Sequence, residues 1–93
     1  MNEDYKNFRR RIKRMCRPSV VQLCKDAGLN DRETDMITMF YLDGHSEYYI
    51  SDHFNMSRSA YHENKKMLIA RIMDYQEYIA IKSKVNDRGG RYV

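Results

Sequence analysis

The sequence predicts an all-α, single-domain protein of five helices ending in an extended C-terminal helix, and three observations carry that expectation. Apolar residues recur at spacings of three and four along most of the chain, helix boundaries are marked by capping residues, one proline and well-placed glycines, and no low-complexity run interrupts the pattern. At 93 residues the chain suits one modest core and is too short for a catalytic scaffold with a deep cleft.

A first helix is expected over about residues 4 to 16, because Phe8, Ile12 and Met15 lie at helical spacing with Arg9, Arg10, Arg11, Lys13 and Arg14 on the other faces. Pro18 suits the first turn of a second helix, about 18 to 27, whose apolar members are Val20, Val21, Leu23 and Cys24. Gly28 ends it. Asn30 with Glu33 three residues later makes a capping-box start for a third helix, about 31 to 42, which carries Met36, Ile37, Phe40 and Tyr41. Asp43 and Gly44 turn the chain into a short fourth helix with Ser46 as N-cap and Ile50 and Phe54 on its inner face.

Asn55-Met56-Ser57 then predicts a tight turn: Asn tolerates a left-handed backbone, and Ser57 offers its hydroxyl as N-cap to the fifth helix. Met56, Tyr61 and Leu68 supply the wedge between the fourth and fifth helices. Two short helices around such a turn form a helix-turn-helix, in which the first helix braces and the second lays its N-terminal residues into the major groove of DNA. Leu68, Ile72, Tyr75 and Ile79 continue at four-three-four spacing, so the last helix is expected to run to about residue 82. That stripe must be covered, either by the N-terminal helices or by a second copy in a homodimer that spaces two recognition helices about 34 Å apart. Asn64 is either a buried polar register device or exposed. The chain therefore divides into a basic N-terminal helical segment (1–28), a helix-turn-helix domain with a long last helix (29–85) and a glycine-containing flexible tail (86–93).

The net charge is +4, unevenly distributed. Residues 1–25 hold eight basic and two acidic side chains, residues 26–57 one and seven, and residues 58–93 eight and four. The two basic ends are the candidates for phosphate contact. In the first of them Arg9, Arg10, Arg11, Lys13, Arg14 and Arg17 place six cations in nine residues, more than solubility needs. At the second, Arg58, Ser59, His62 and Glu63 occupy the first turns of the fifth helix as candidate base contacts: Arg58 bidentate to guanine, Glu63 accepting from cytosine N4, Ser59 serving either edge. Lys65 and Lys66 are expected on phosphates, which position without specifying.

The series Leu29-Asn30-Asp31-Arg32-Glu33, Met36-Ile37, Tyr41, Gly44, Ser46, Ile50, Met56-Ser57-Arg58 and Tyr61 resembles region 4 of the bacterial sigma factors and its phage-encoded relatives, over roughly residues 29 to 69. The chain departs from that pattern at Ser51, Asn55 and Asn64, and it has Ser59 and His62 where the family usually carries Glu and Arg. The resemblance implies a phage- or bacteria-encoded, sequence-specific regulator of transcription that binds double-stranded DNA and contacts RNA polymerase, the acidic segment with Asp31, Glu33, Asp35, Asp43, Glu47 and Asp52 including the polymerase-facing surface. The alternative is a small phage interaction protein that uses the same fold, with eight tyrosines available for an interface, to inhibit or redirect a host protein such as RNA polymerase or a defence nuclease.

No enzyme and no cofactor are expected. His45, Glu47, Asp52 and His53 are the residue types of a metal or acid–base site, but Asp52 and His53 are adjacent on a helix and point apart, and no glycine-rich phosphate loop is present. Cys16 and Cys24 are too few for a disulfide framework and share no zinc-ligand spacing with His45, His53 and His62. No run approaches a membrane span and no apolar signal core follows the basic N-terminus, so the expected location is the cytoplasm.

Overall fold

The computed structural model describes the backbone of residues 2–92 and the side chains of residues 5–82. Its described residues form five helices and no strand: α1 (Asn2–Arg14), α2 (Arg17–Asp26), α3 (Asp31–Tyr41), α4 (Glu47–His53) and α5 (Arg58–Tyr92). The boundaries follow local chemistry. Cys16 takes an extended backbone (φ −74°, ψ 159°) as N-cap of α2, its carbonyl accepting from Val20 N at 3.1 Å, so α1 closes two residues before the expected end. Asn30 and Glu33 form the full capping box of α3, with Glu33 N donating to Asn30 Oδ1 at 2.8 Å and Asn30 N to Glu33 Oε1 at 3.0 Å. Gly28 and Gly44 stand just beyond α2 and α3 with φ of 92° and 73°, the left-handed region in which a glycine carries no Cβ penalty.

One core joins all five helices. Phe8 and Ile12 of α1, Val20 and Cys24 of α2, Met36, Ile37 and Tyr41 of α3, Ile50 of α4, and Tyr61, Leu68, Ile69 and Ile72 of α5 are buried together with Leu29. Phe8 meets Tyr41 edge-on at 5.6 Å between ring centroids, so the basic N-terminal segment belongs to the same packed unit as the helix-turn-helix. Burial pushes the Tyr41 phenol up to about 12 and the Cys24 thiol up to about 11, so both stay neutral.

The apolar stripe of α5 divides where the globule ends. Leu68 and Ile72 are fully inside the core of the single chain, Tyr75 is half-buried, and Ile79 is 40 % exposed. At Leu68 and Ile72 the first of the two expected covers is present, the chain's own helices. Arg11 on α1 reaches α5 through a 3.3 Å bond from Nη2 to Gln76 Oε1. Asn64 is half-buried, and its amide donates to Ala60 O of the preceding turn at 2.8 Å. Beyond Lys82 the helical backbone continues through Tyr92, across the residues expected as a tail. A glycine costs a helix about 1 kcal/mol relative to alanine but keeps its N–H for the ladder, so Gly89 and Gly90 need not end it.

This division predicts unequal costs along one stripe. Ile72→Ala should destabilise the fold by about 2–5 kcal/mol in urea denaturation, and Ile79→Ala by less than about 1 kcal/mol. Equal losses would mean that Ile79 is covered as fully as Ile72.

Candidate nucleic-acid interface

The bihelical unit is assembled by short-range hydrogen bonds. Ser46 Oγ accepts from Tyr49 N at 3.1 Å to cap α4, which buries Ile50 and Ser51. Asn55 adopts φ 56° and is the sole non-glycine residue with positive φ among the described residues. Met56 N then donates back to Ser51 O at 2.8 Å. Ser57 Oγ accepts from Ala60 N at 3.1 Å and caps α5. The loop is braced from outside by Arg32, whose guanidinium donates to Phe54 O at 3.0 Å and lies 5.4 Å above the Phe54 ring. Tyr61, on the first turn of α5, is fully buried in the shared core, and burial raises its phenol well above the ordinary range.

The candidate base-contacting residues come together. Arg58, Ser59, His62 and Glu63 are all exposed and line one shallow depression, closed on its α4 side by Glu47. The Arg58 guanidinium stacks 4.1 Å over the Tyr48 ring, so α4 holds this side chain over the helix start. Glu47 lies 3.5 Å from His62 Nδ1. Neither Glu47 nor Tyr48 belongs to the groove-facing set read from the sequence, since both sit on the preceding helix.

Lys65 is a correction. Its expected role is a phosphate contact, yet it is only 9 % exposed, donates from Nζ to Glu47 Oε2 at 2.8 Å and sits 3.9 Å over the Phe40 ring. An ammonium buried among apolar groups needs an opposite charge, and Glu47 supplies it. Its physical role is to tie α4 to α5 behind the exposed first turns of α5. The same bond holds the Glu47 carboxyl below its ordinary value, the nearby His62 adding to the effect.

The cations of the N-terminal segment separate by face. Arg9 and Lys13 border a depression at the α3–α4 turn, together with Asp43 and His45. Arg10 and Arg14 are exposed. Arg11 lies on the opposite flank against the distal half of α5, bonded to Gln76, and Arg17 forms an ion pair with Asp43. Only part of the cluster therefore shares a side with the helix-turn-helix. Lys66 is exposed and borders the first turns of α1.

The histidines outside this surface form an aromatic column rather than a ligand set. His45 stacks on Tyr49 at 4.3 Å, and Tyr49 lies parallel to His53 at 6.2 Å. No three His, Cys, Asp or Glu side chains among the described residues converge as a metal would require. Cys24 is buried, whereas Cys16 is exposed and held below the ordinary thiol range chiefly by the Ser19 side chain, 3.1 Å away. Among the described residues no helix is long and apolar enough to cross a membrane. Comparison of the chain with protein-family models, with curated proteins and with solved structures returned no match.

The Glu47–Lys65 bond makes stability depend on pH. Because the folded carboxyl ionises below its ordinary 4.5, the pair stabilises the fold above that value and the contribution is lost as pH falls through the lowered one. Glu47→Gln should melt at a lower temperature than the parent at pH 7, with the difference shrinking as the pH is taken below 4.5. A gap that stayed constant with pH would assign the loss to shape rather than charge.

Proposed function

We propose that the protein is a sequence-specific, duplex-DNA-binding regulator of transcription, acting without catalysis or cofactor in the cytoplasm of a bacterial or phage-infected cell. The observation that carries this reading is the capped α4–turn–α5 unit, which leaves Arg58, Ser59, His62 and Glu63 exposed together on the first turns of a rigidly held helix. A helix about 10–12 Å across fits the major groove, where arginine reads guanine and glutamate reads cytosine. Phosphate contacts fall to Lys66 and to Arg9, Arg10, Lys13 and Arg14. Arg11 and Arg17 are engaged by Gln76 and Asp43, and Lys65 is internal. The likeness of residues 29–69 to sigma region 4 supports the same reading and adds RNA polymerase as a candidate partner.

A second reading, a protein-binding inhibitor, is favoured by one feature: the outer face of α4 exposes Tyr48 and Tyr49, with His45 and His53 stacked along it. Selection from random duplex pools separates the two, since a DNA reader returns a defined motif and a protein binder returns only salt-sensitive background.

On the selected motif, Arg58→Ala should cost about 1–3 kcal/mol of binding free energy while binding to random duplex changes little. Equal losses on both would make Arg58 a phosphate contact.

A further inference from the structure

The first turns of α1 and the second to fourth turns of α5, more than fifty residues apart in the chain, meet at one cleft. Its lining includes Tyr5 and Lys6 from α1, Tyr41 from α3, and His62, Lys66 and Ile69 from α5. Lys65 also borders it, but that ammonium is committed to Glu47. The remaining donors are two exposed lysines, an imidazole and tyrosine hydroxyls around an apolar floor. Glu47 lies 3.5 Å from His62 Nδ1 and is already held by Lys65.

We propose that this cleft seats one phosphodiester of the duplex backbone beside the groove occupied by α5, with Lys6 and Lys66 supplying the charge. The proposal rests on the duplex-binding reading above and assigns Lys6 a role. A lysine is a compact charge with freely rotating donors, suited to following a phosphate rather than reading a base. The geometry makes the seat directional. His62 belongs both to this cleft and to the depression lined by Arg58, Ser59 and Glu63, so a phosphate held here lies one side chain away from the base-facing group. On α1 the seat continues toward Arg9 and Lys13, which follow Lys6 at offsets of three and seven on the same helix flank. That flank gives the backbone a track leading away from the recognition helix.

The test compares Lys6→Gln/Lys66→Gln with a charge-matched control, Lys25→Gln/Lys82→Gln, in fluorescence-anisotropy titrations of a random-sequence duplex over a range of salt. The cleft variant should bind about tenfold more weakly at low salt, and its log-affinity against log-salt slope should fall by about 0.9, the value for one lost phosphate contact. The control should follow the parent, and Lys6→Arg/Lys66→Arg should keep most of the affinity. A cleft variant indistinguishable from the control, while the parent binds duplex well, overturns the phosphate seat alone. A parent that binds no duplex overturns the seat and the DNA-binding reading together. A lowered melting temperature in the Gln variant would mark the two lysines as structural and would also overturn the seat.

Discussion

One face of α5 is committed to the core from Tyr61 through Lys65, Leu68 and Ile69 to Ile72, and the positions of the other four helices follow from it. The same turns must leave Ser59, His62, Glu63 and Lys66 to solvent. A helix of 3.6 residues per turn satisfies both demands only if the buried stripe stays narrow. Lys65 is where the demands collide, because a cation falls on the inner stripe. Its cost is offset by Glu47 from α4 and by the Phe40 ring from α3, so one side chain fixes two neighbouring helices against α5. The exposed turns of α5 are consequently presented by a scaffold joined on its hidden side.

The charge pattern becomes intelligible once the ion pairs are placed. The acidic middle of the chain is largely engaged internally: Asp31 lies 3.4 Å from Lys25, Glu33 lies 3.6 Å from Arg71, Asp43 pairs with Arg17, and Glu47 holds Lys65. The three exposed pairs, all but Glu47–Lys65, contribute under about 1 kcal/mol each, so their main consequence is electrostatic. They cancel negative charge that would repel a polyanion. Lys6, Arg9, Lys13 and Lys66 border the clefts on the side of the helix-turn-helix. The mild net charge of the whole chain therefore understates the positive potential beside the start of α5.

What was legible in the sequence is what local chemistry determines. The capping box at Asn30, the left-handed Asn55 and the Ser57 cap each depend on atoms within four residues, and all three stand as expected. Cys16 is less legible, because a cysteine is a weak N-cap signal and only Pro18, two residues on, marks the start of α2. The burial of Lys65 is not legible locally, because it depends on Glu47, eighteen residues earlier and on a different helix. The arginine cluster on α1 was legible as charge but not as direction, since only packing decides which flank borders α5 and which borders the α3–α4 turn. Lys6 escaped notice because it stands outside the run of cations.

The surface proposed to meet duplex DNA is the exposed start of α5, flanked by one side of α1. The most direct measurement is an amide chemical-shift titration of the isotope-labelled protein with a short duplex. Duplex binding at this surface should concentrate the shifts in residues 58–67 and 5–13, while α2 and the 74–82 portion of α5 stay unmoved. Shifts confined to the aromatic face of α4, or absent at every duplex concentration, would contradict it.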